Sequence, residues 1–228
     1  APSLSIRFLL LSVITAVCVS HPRAAYAARC AVRAVNNCGD RAIRRHPVVI
    51  PVAALPQRFH DGAITVTADG VPVTCQVDDL DGDGILDELV FPADLPPAGE
   101  RVFTLAAGKP RSADTDLAVV DDGKRFENAR ITCRPGHKKK HMVVVDRTTG
   151  RHLLDDFGFG AGGEPAATRV AARGPVRVVY DRRYAAGKGM TVTERYLLYA
   201  GQYGFELRLV VANSTPGAQP LPDRIADR

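Results

Sequence analysis

Tryptophan is absent from the 228 residues, and aromatics of all kinds reach only 6%. That scarcity argues against a sugar platform built of stacked rings. Away from the N-terminus there is no run of about 18 apolar residues, which excludes an integral helical membrane protein. No Cys-x-x-Cys pair occurs and the histidines lack zinc-ligand spacing, so a structural zinc site is not expected. Helical periodicity is hard to find beyond the first residues. What is present is a globular composition, 46% hydrophobic and 24% charged. It holds enough apolar surface for a core and rules out disorder of the whole chain. Gly 20 and Pro 16 imply many turns, as in an all-β chain.

Phe8 to Ser20 read FLLLSVITAVCVS, uncharged, with Arg7 before them and Ala25-Tyr26-Ala27 after. This pattern predicts a secretory signal peptide over 1–27, cleaved after Ala27, and a secreted or periplasmic protein. The run is too short to span a bilayer, so no stable membrane insertion is expected after cleavage. The first residue is Ala1 rather than Met, so the natural start is expected upstream. Cleavage removes Arg7, Arg23 and no acid, taking the net charge from +5 to about +3. The acids concentrate over 78–94, and no basic helix accompanies the excess, so nucleic acid is not an expected partner. Lys138 to Lys140, between His137 and His141, is the sharpest basic cluster and reads as a solvated turn, with contact to an acidic polymer the alternative. Cys30, Cys38, Cys75 and Cys133 remain after cleavage. Export permits disulfides. Cys30–Cys38 with Cys75–Cys133 is one pairing, and the others stay open.

Short β-rich runs bounded by Gly, Pro and Asp follow one another along the chain. Pro47–Val52, Ala63–Thr67, Val71–Val77, Leu86–Phe91 and Arg101–Leu105 suit a small β-sandwich over 28–108. Asp69-Gly70 is a two-residue hairpin turn signal. A segment with Lys109-Pro110 and several Asp residues reads as a linker over 109–124. Strands resume with Glu127–Cys133 and Met142–Val145, then a polar turn at Asp146–Gly150 and a glycine-rich loop at Phe157–Gly163. Val176, Val178 and Tyr180 fall on one strand face. Val192, Tyr196 and Leu198 share another with Glu194 among them, and Phe205, Leu207, Leu209 and Val211 alternate with Glu206, Arg208 and Val210. Period two of this kind predicts half-buried antiparallel strands in part of a larger sandwich over 125–213. Residues 214–228 are polar and patternless, a disordered tail.

Residues 78–88 read DDLDGDGILDE. Asp79, Asp81, Asp83 and Asp87 stand at positions 1, 3, 5 and 9 of a calcium-type loop, with Gly84 at position 6 and the Ile85 carbonyl available at position 7. Ca²⁺ is a hard cation that takes about 6–8 oxygens at about 2.3–2.6 Å, and alternate residues of a tight loop converge their side chains on one point. Position 12 is Val90 and strands flank the loop, so this is no EF-hand. It looks like the shorter calcium loops in β-hairpins of extracellular proteins. The metal expectation is therefore structural Ca²⁺ held by Asp79, Asp81, Asp83, Ile85 and Asp87. The plain alternative is a tight Asp/Gly turn that binds nothing.

The segment VPVTCQVDDLDGDGILDELVFPADLPPAGERVFTL over 71–105 resembles the bacterial domain of unknown function 4861 family. Gln76, Asp78 to Gly84, Asp87 to Phe91 and Leu95-Pro96 carry the resemblance. GPVRVVY and TVTERYLLYAGQ look like the family's later strands. The resemblance implies a secreted or periplasmic protein associated with polysaccharide degradation. It also implies a sandwich similar to the galactose-mutarotase and polysaccharide-lyase supersandwich, with polysaccharide or oligosaccharide as partner. Its members are longer, so the chain is expected to be an N-terminal part or a degraded copy. No catalytic residues come with the resemblance.

Two functional readings follow. In the first the protein processes polysaccharide, as a lyase on uronic-acid polymers would. That chemistry needs a base for an acidic C–H and a cation or donor for the carboxylate. His137, His141, His152, Tyr180 and Tyr196 are candidate bases, and Arg134, Arg177 and Arg195 candidate carboxylate holders. In the second it is a non-catalytic, calcium-stabilised β-module that binds glycan or packs against a partner.

Overall fold

The computed structural model describes residues 29–37, 39–110, 113–121, 123–136, 142–157, 164–187 and 189–213. The signal segment, Cys38, the lysine cluster with its two histidines, most of the glycine-rich stretch and the tail lie outside the described residues. Sixteen strands follow one another, with no α-helix among the described residues. They are β1 (Arg29–Val35), β2 (Ile43–Pro51), β3 (Ile64–Ala68), β4 (Val71–Val73), β5 (Gln76–Asp78), β6 (Glu88–Leu95), β7 (Glu100–Ala107) and β8 (Ala118–Val120). The second half adds β9 (Arg125–Glu127), β10 (Ile131–Pro135), β11 (Met142–Asp146), β12 (His152–Phe157), β13 (Ala167–Arg173), β14 (Arg177–Ala185), β15 (Met190–Tyr199) and β16 (Phe205–Asn213). The fold is all-β. The stretch 109–124, read as a linker, carries β8.

Four antiparallel sheets result, ordered β1-β7-β3-β4, β2-β6-β5, β12-β11-β10-β9-β8 and β13-β14-β15-β16. Period-two alternation stacks them. On β6, Leu89, Phe91, Ala93 and Leu95 meet Val32, Val66 and Phe103 of the first sheet, closing the N-terminal sandwich. Val90, between them, points the other way and joins Val49, Val179, Leu197 and Tyr199. On the far side of the β14–β15 sheet, Val178, Tyr180, Tyr196 and Leu198 pack on Phe126, Ile131, Cys133, Met142 and Val144. The order of layers is therefore the β1 sheet, the β2 sheet, the β13–β16 sheet and the β8–β12 sheet, with an apolar seam between each pair. Asp69 and Gly70 both take positive φ, 52° and 76°, as a type I′ turn requires.

The β13–β16 sheet departs from the half-buried expectation, because over much of β14 to β16 both its faces are covered. Its polar face is buried too: Arg177 has no exposed surface, and Asp181, Glu206 and Arg208 stay below 9%. Val176, expected beside Val178, lies instead in the middle seam, since β14 begins only at Arg177. Charge enters this interior because it is paired. Arg177 donates from Nε to Asp78 at 2.8 Å and from Nη2 to Glu88 at 2.7 Å. Arg208 donates to the other Glu88 oxygen at 2.9 Å and to Glu206 at 2.7 Å. The Tyr199 hydroxyl donates to Glu206 at 3.1 Å. Gln76 completes the junction as a peptide mimic. Its Oε1 accepts from the Val176 and Arg177 amides, both at 3.0 Å, and its Nε2 donates to the Arg177 carbonyl at 3.0 Å. A Cβ at Gly174 would stand 2.4 Å from the Gln76 amide, so only glycine lets the strands approach this closely.

The Cys75–Cys133 pairing is corrected: both thiols are free and buried. Cys75 belongs to the N-terminal core and Cys133 to the core beyond the β13–β16 sheet. Two sheets separate them, and a disulfide needs Cβ atoms about 4 Å apart. Burial pushes the Cys75 thiol up to about 11 and the Cys133 thiol up to about 12. Cys30 is disulfide-bonded.

Burial alone would raise the Glu88 carboxyl, but Arg177 and Arg208 outweigh it and hold it below its ordinary 4.5. Its stabilising contribution is therefore complete above pH 4.5 and is lost as the pH falls further. Glu88→Ala strands two buried guanidinium groups, and we expect it to lower the urea unfolding free energy by about 3 kcal/mol at pH 7. Below pH 4.5 the wild type should lose stability more steeply than Glu88→Gln; parallel pH profiles would contradict this ion cluster.

Candidate metal loop and adjoining groove

The connection between β5 and β6 is tightened by its own side chains. Asp79 accepts from the Gly82 amide at 2.7 Å and the Gly84 amide at 2.9 Å. Gly82 and Gly84 both sit at left-handed φ, 83° and 86°, which lets the backbone fold back on Asp79. Asp81 accepts from the Asp83 amide at 3.1 Å, and Asp83 from the Ile85 amide at 2.7 Å. At the base, the Asp87 amide donates to the Asp78 carbonyl at 2.7 Å while its carboxylate takes the Leu80 amide at 2.6 Å.

Three of the expected ligands come together. One oxygen each from Asp79, Asp81 and Asp87 lie within 4.8 Å of one another. Two oxygens on opposite sides of a single Ca²⁺ stand about 4.6–5.2 Å apart, so the three fit around one such ion. Asp83 is not part of that group, and the Ile85 residue is 69% exposed. The electrostatics of the three differ. The Gly82 amide, with help from Gly84, draws the Asp79 carboxyl below its usual range. Burial, then the charges of Asp81 and Asp79, push Asp87 above it. A cation at that point would offset the repulsion from Asp81 and Asp79.

The loop is fastened to the sheet behind it. Leu80 inserts its side chain into the middle seam. Its carbonyl accepts from Arg169 and, at 2.9 Å, from Arg195, and Arg169 also donates to the Asp81 carbonyl at 3.0 Å. Arg195 grips Asp181 with two bonds, at 2.8 and 2.9 Å, and Arg169 reaches the same carboxylate at 3.3 Å. Register explains the grouping: Arg169, Asp181, Arg195 and Arg208 stand opposite one another on adjacent strands and so share one face. The next row on that face, Ala167, Arg183, Thr193 and Val210, lies one step beyond the row that bonds the loop. A groove of about 390 Å³ opens there, with Asp81 on its rim and Arg169, Arg183, Arg195, Thr191 and Thr193 among its lining.

The candidate bases do not gather at this groove. His152 lies on the exposed β12 and pairs with Asp155 at 2.6 Å. Tyr180 and Tyr196 are core residues. The Tyr196 hydroxyl, raised by burial and by Glu194, donates to Glu194 at 2.9 Å. Arg177 serves the buried ion cluster and Arg134 is exposed on β10. His137 and His141 lie outside the described residues. Of the named arginines only Arg195 lines the groove. Arg169, Asp181 and Arg183 escaped the sequence reading. Their signal is positional, in strand register, and no motif marks it.

The fold and this loop place the chain in a class of layered antiparallel β-proteins with an acidic hairpin. More narrowly, the chain belongs to the family described as a domain of unknown function, DUF4861, whose model matches residues 35–153. No curated protein matches the sequence. Among solved structures, it is similar to an alpha-mannosidase from Enterococcus faecalis V583, at 11% identity and a TM-score of 0.46 over 77% of this chain and 29% of that one. It is also similar to a protein in glycosyl hydrolase family 38 from Enterococcus faecalis, at 10% identity and a TM-score of 0.48 over 82% of this chain and 31% of that one. The chain thus spans under a third of either. Likeness at this level does not transfer an active site.

Arg195→Ala leaves Asp181 buried with only the longer contact from Arg169 and takes one of its two side-chain donors from the Leu80 carbonyl. We expect a loss of about 3 kcal/mol in unfolding free energy. Amide exchange should quicken over residues 79–87 more than in the β1 sheet. Exchange unchanged in the loop would mean that Leu80 packing alone fastens it.

Proposed function

We propose that this chain is an exported, calcium-stabilised β-module of polysaccharide breakdown whose task is to hold carbohydrate. The observation that carries the reading is the acidic loop clamped by Arg169 and Arg195 beside an open groove lined by charged and hydroxyl-bearing side chains. The groove offers charged groups and hydroxyls on a floor of paired strands, the rigid support that recognition of a polar ligand requires. Asp79, Asp81 and Asp87 hold the ion, with Asp83 and the Ile85 carbonyl recruited when it binds. The ion closes the loop and makes the groove rim firm. Export is supported by the signal-like segment 1–27 and by the disulfide at Cys30, a bond that persists in oxidising compartments. The processing reading has less support, since the candidate bases of the described residues stand apart from the groove.

Calcium binding to the folded state alone raises the melting temperature. The wild type should melt several degrees higher in excess Ca²⁺ than in EDTA. Asp87→Asn removes a ligand and also a repulsion, so it should melt no lower than the wild type in EDTA and lose most of the Ca²⁺ shift. A wild-type melt indifferent to Ca²⁺ would sink the metal half of the reading. Retention on none of a panel of acidic and neutral polysaccharides would sink the carbohydrate half.

A further inference from the structure

Five charged side chains line the groove beside the acidic loop: Arg169, Arg183 and Arg195 against Asp81 and Asp181. Most are engaged. Asp181 is held by two bonds from Arg195 and one from Arg169, and both arginines also hold backbone carbonyls of the loop. Asp81 turns an oxygen towards Asp79 and Asp87. Arg183 is different. It is exposed on β14, one row beyond the clamp, and among the described residues it has neither a carboxylate nor a carbonyl partner. Its cross-strand neighbour is Thr193, with Thr191 next on the same face. The groove thus presents one uncommitted guanidinium, an excess of positive charge and the hydroxyls of Thr191 and Thr193, with Thr168 also in its lining.

We propose that this groove recognises an acidic sugar, with the Arg183 guanidinium taking the carboxylate of a uronic-acid residue. The inference rests on the carbohydrate-holding role above and narrows it to one substrate class. A guanidinium offers two parallel N–H donors that match the two oxygens of a carboxylate. Thr191 and Thr193 supply the donors and acceptors that sugar hydroxyls need. A neutral sugar would leave Arg183 without its counterpart. The acidic rim at Asp81 disfavours a carboxylate on that side, so the ligand's charge is directed towards Arg183 and away from the loop.

The test is calorimetric titration of the full chain, in fixed Ca²⁺, with oligogalacturonate and with the same oligosaccharide methyl-esterified. The acid form should bind at least tenfold more tightly than the ester. Arg183→Ala should lose at least tenfold for the acid form with an unchanged melting temperature, because the side chain supports nothing in the fold. Arg183→Lys, a charge without the fork, should recover part of that loss. Equal binding of acid and ester, or wild-type affinity in Arg183→Ala, overturns the proposal. A neutral mannan or galactan retained while the uronate is not overturns it too, but leaves the carbohydrate role standing. Failure of every glycan removes both.

Discussion

A guanidinium can sit in a protein interior only where carboxylates meet it, and Arg177 sits there with no exposed surface. Its partners, Asp78 and Glu88, flank the acidic loop at the ends of β5 and β6. Everything between those two residues is therefore held at a fixed place against β14. Glu88 is shared with Arg208, and Arg208 with Glu206, so the constraint runs across the sheet to its β16 edge. A set of buried ion pairs adds little net stability, since desolvation offsets most of the attraction. Its effect is on register: a β5–β6 hairpin shifted by one residue would leave charges unpaired in the interior. The apolar seam of Val90, Val179, Leu197 and Tyr199 drives the two sheets together, and the ions decide how they meet.

This junction explains the motif that carried the family resemblance. Gln76, Asp78 and Glu88 serve the contact between sheets, while Asp79, Asp81 and Asp87 serve the loop. One short stretch has two jobs that the sequence alone runs together. Gly174, far along the chain, belongs to the first job, because its missing side chain leaves room for Gln76.

Period two made the strands legible, and the Asp/Gly spacing made the loop legible. Val178, Tyr180, Tyr196 and Leu198 share a core as their alternation requires. Of the loop's four spaced aspartates, Asp79, Asp81 and Asp87 converge, and Asp83 stands outside the group. What escaped was everything set by pairing between distant strands. Glu206 and Arg208 read as a solvent face because alternation reports polarity and not what covers it. Arg169 and Asp181 carry no motif, and only strand pairing sets them side by side. Cys75 and Cys133 looked like a plausible pair because chain position says nothing about which core each enters.

The groove has a similar origin. The β14, β15 and β16 strands run for nine or ten residues, while β5, which carries the loop, has only three. Beyond that short strand and its loop the long strands run on and leave a ledge. Side chains at that ledge keep the regular spacing of the strands but have no layer above them. Arg183 and Thr193 occupy the first uncovered row, directly beyond Asp181 and Arg195. The clamp that fastens the loop and the floor that lies open are successive rows of one sheet. A change that loosens the clamp must therefore also disturb the wall of the groove, and the stability of the loop and the shape of the ligand site are coupled through Leu80, Arg169 and Arg195.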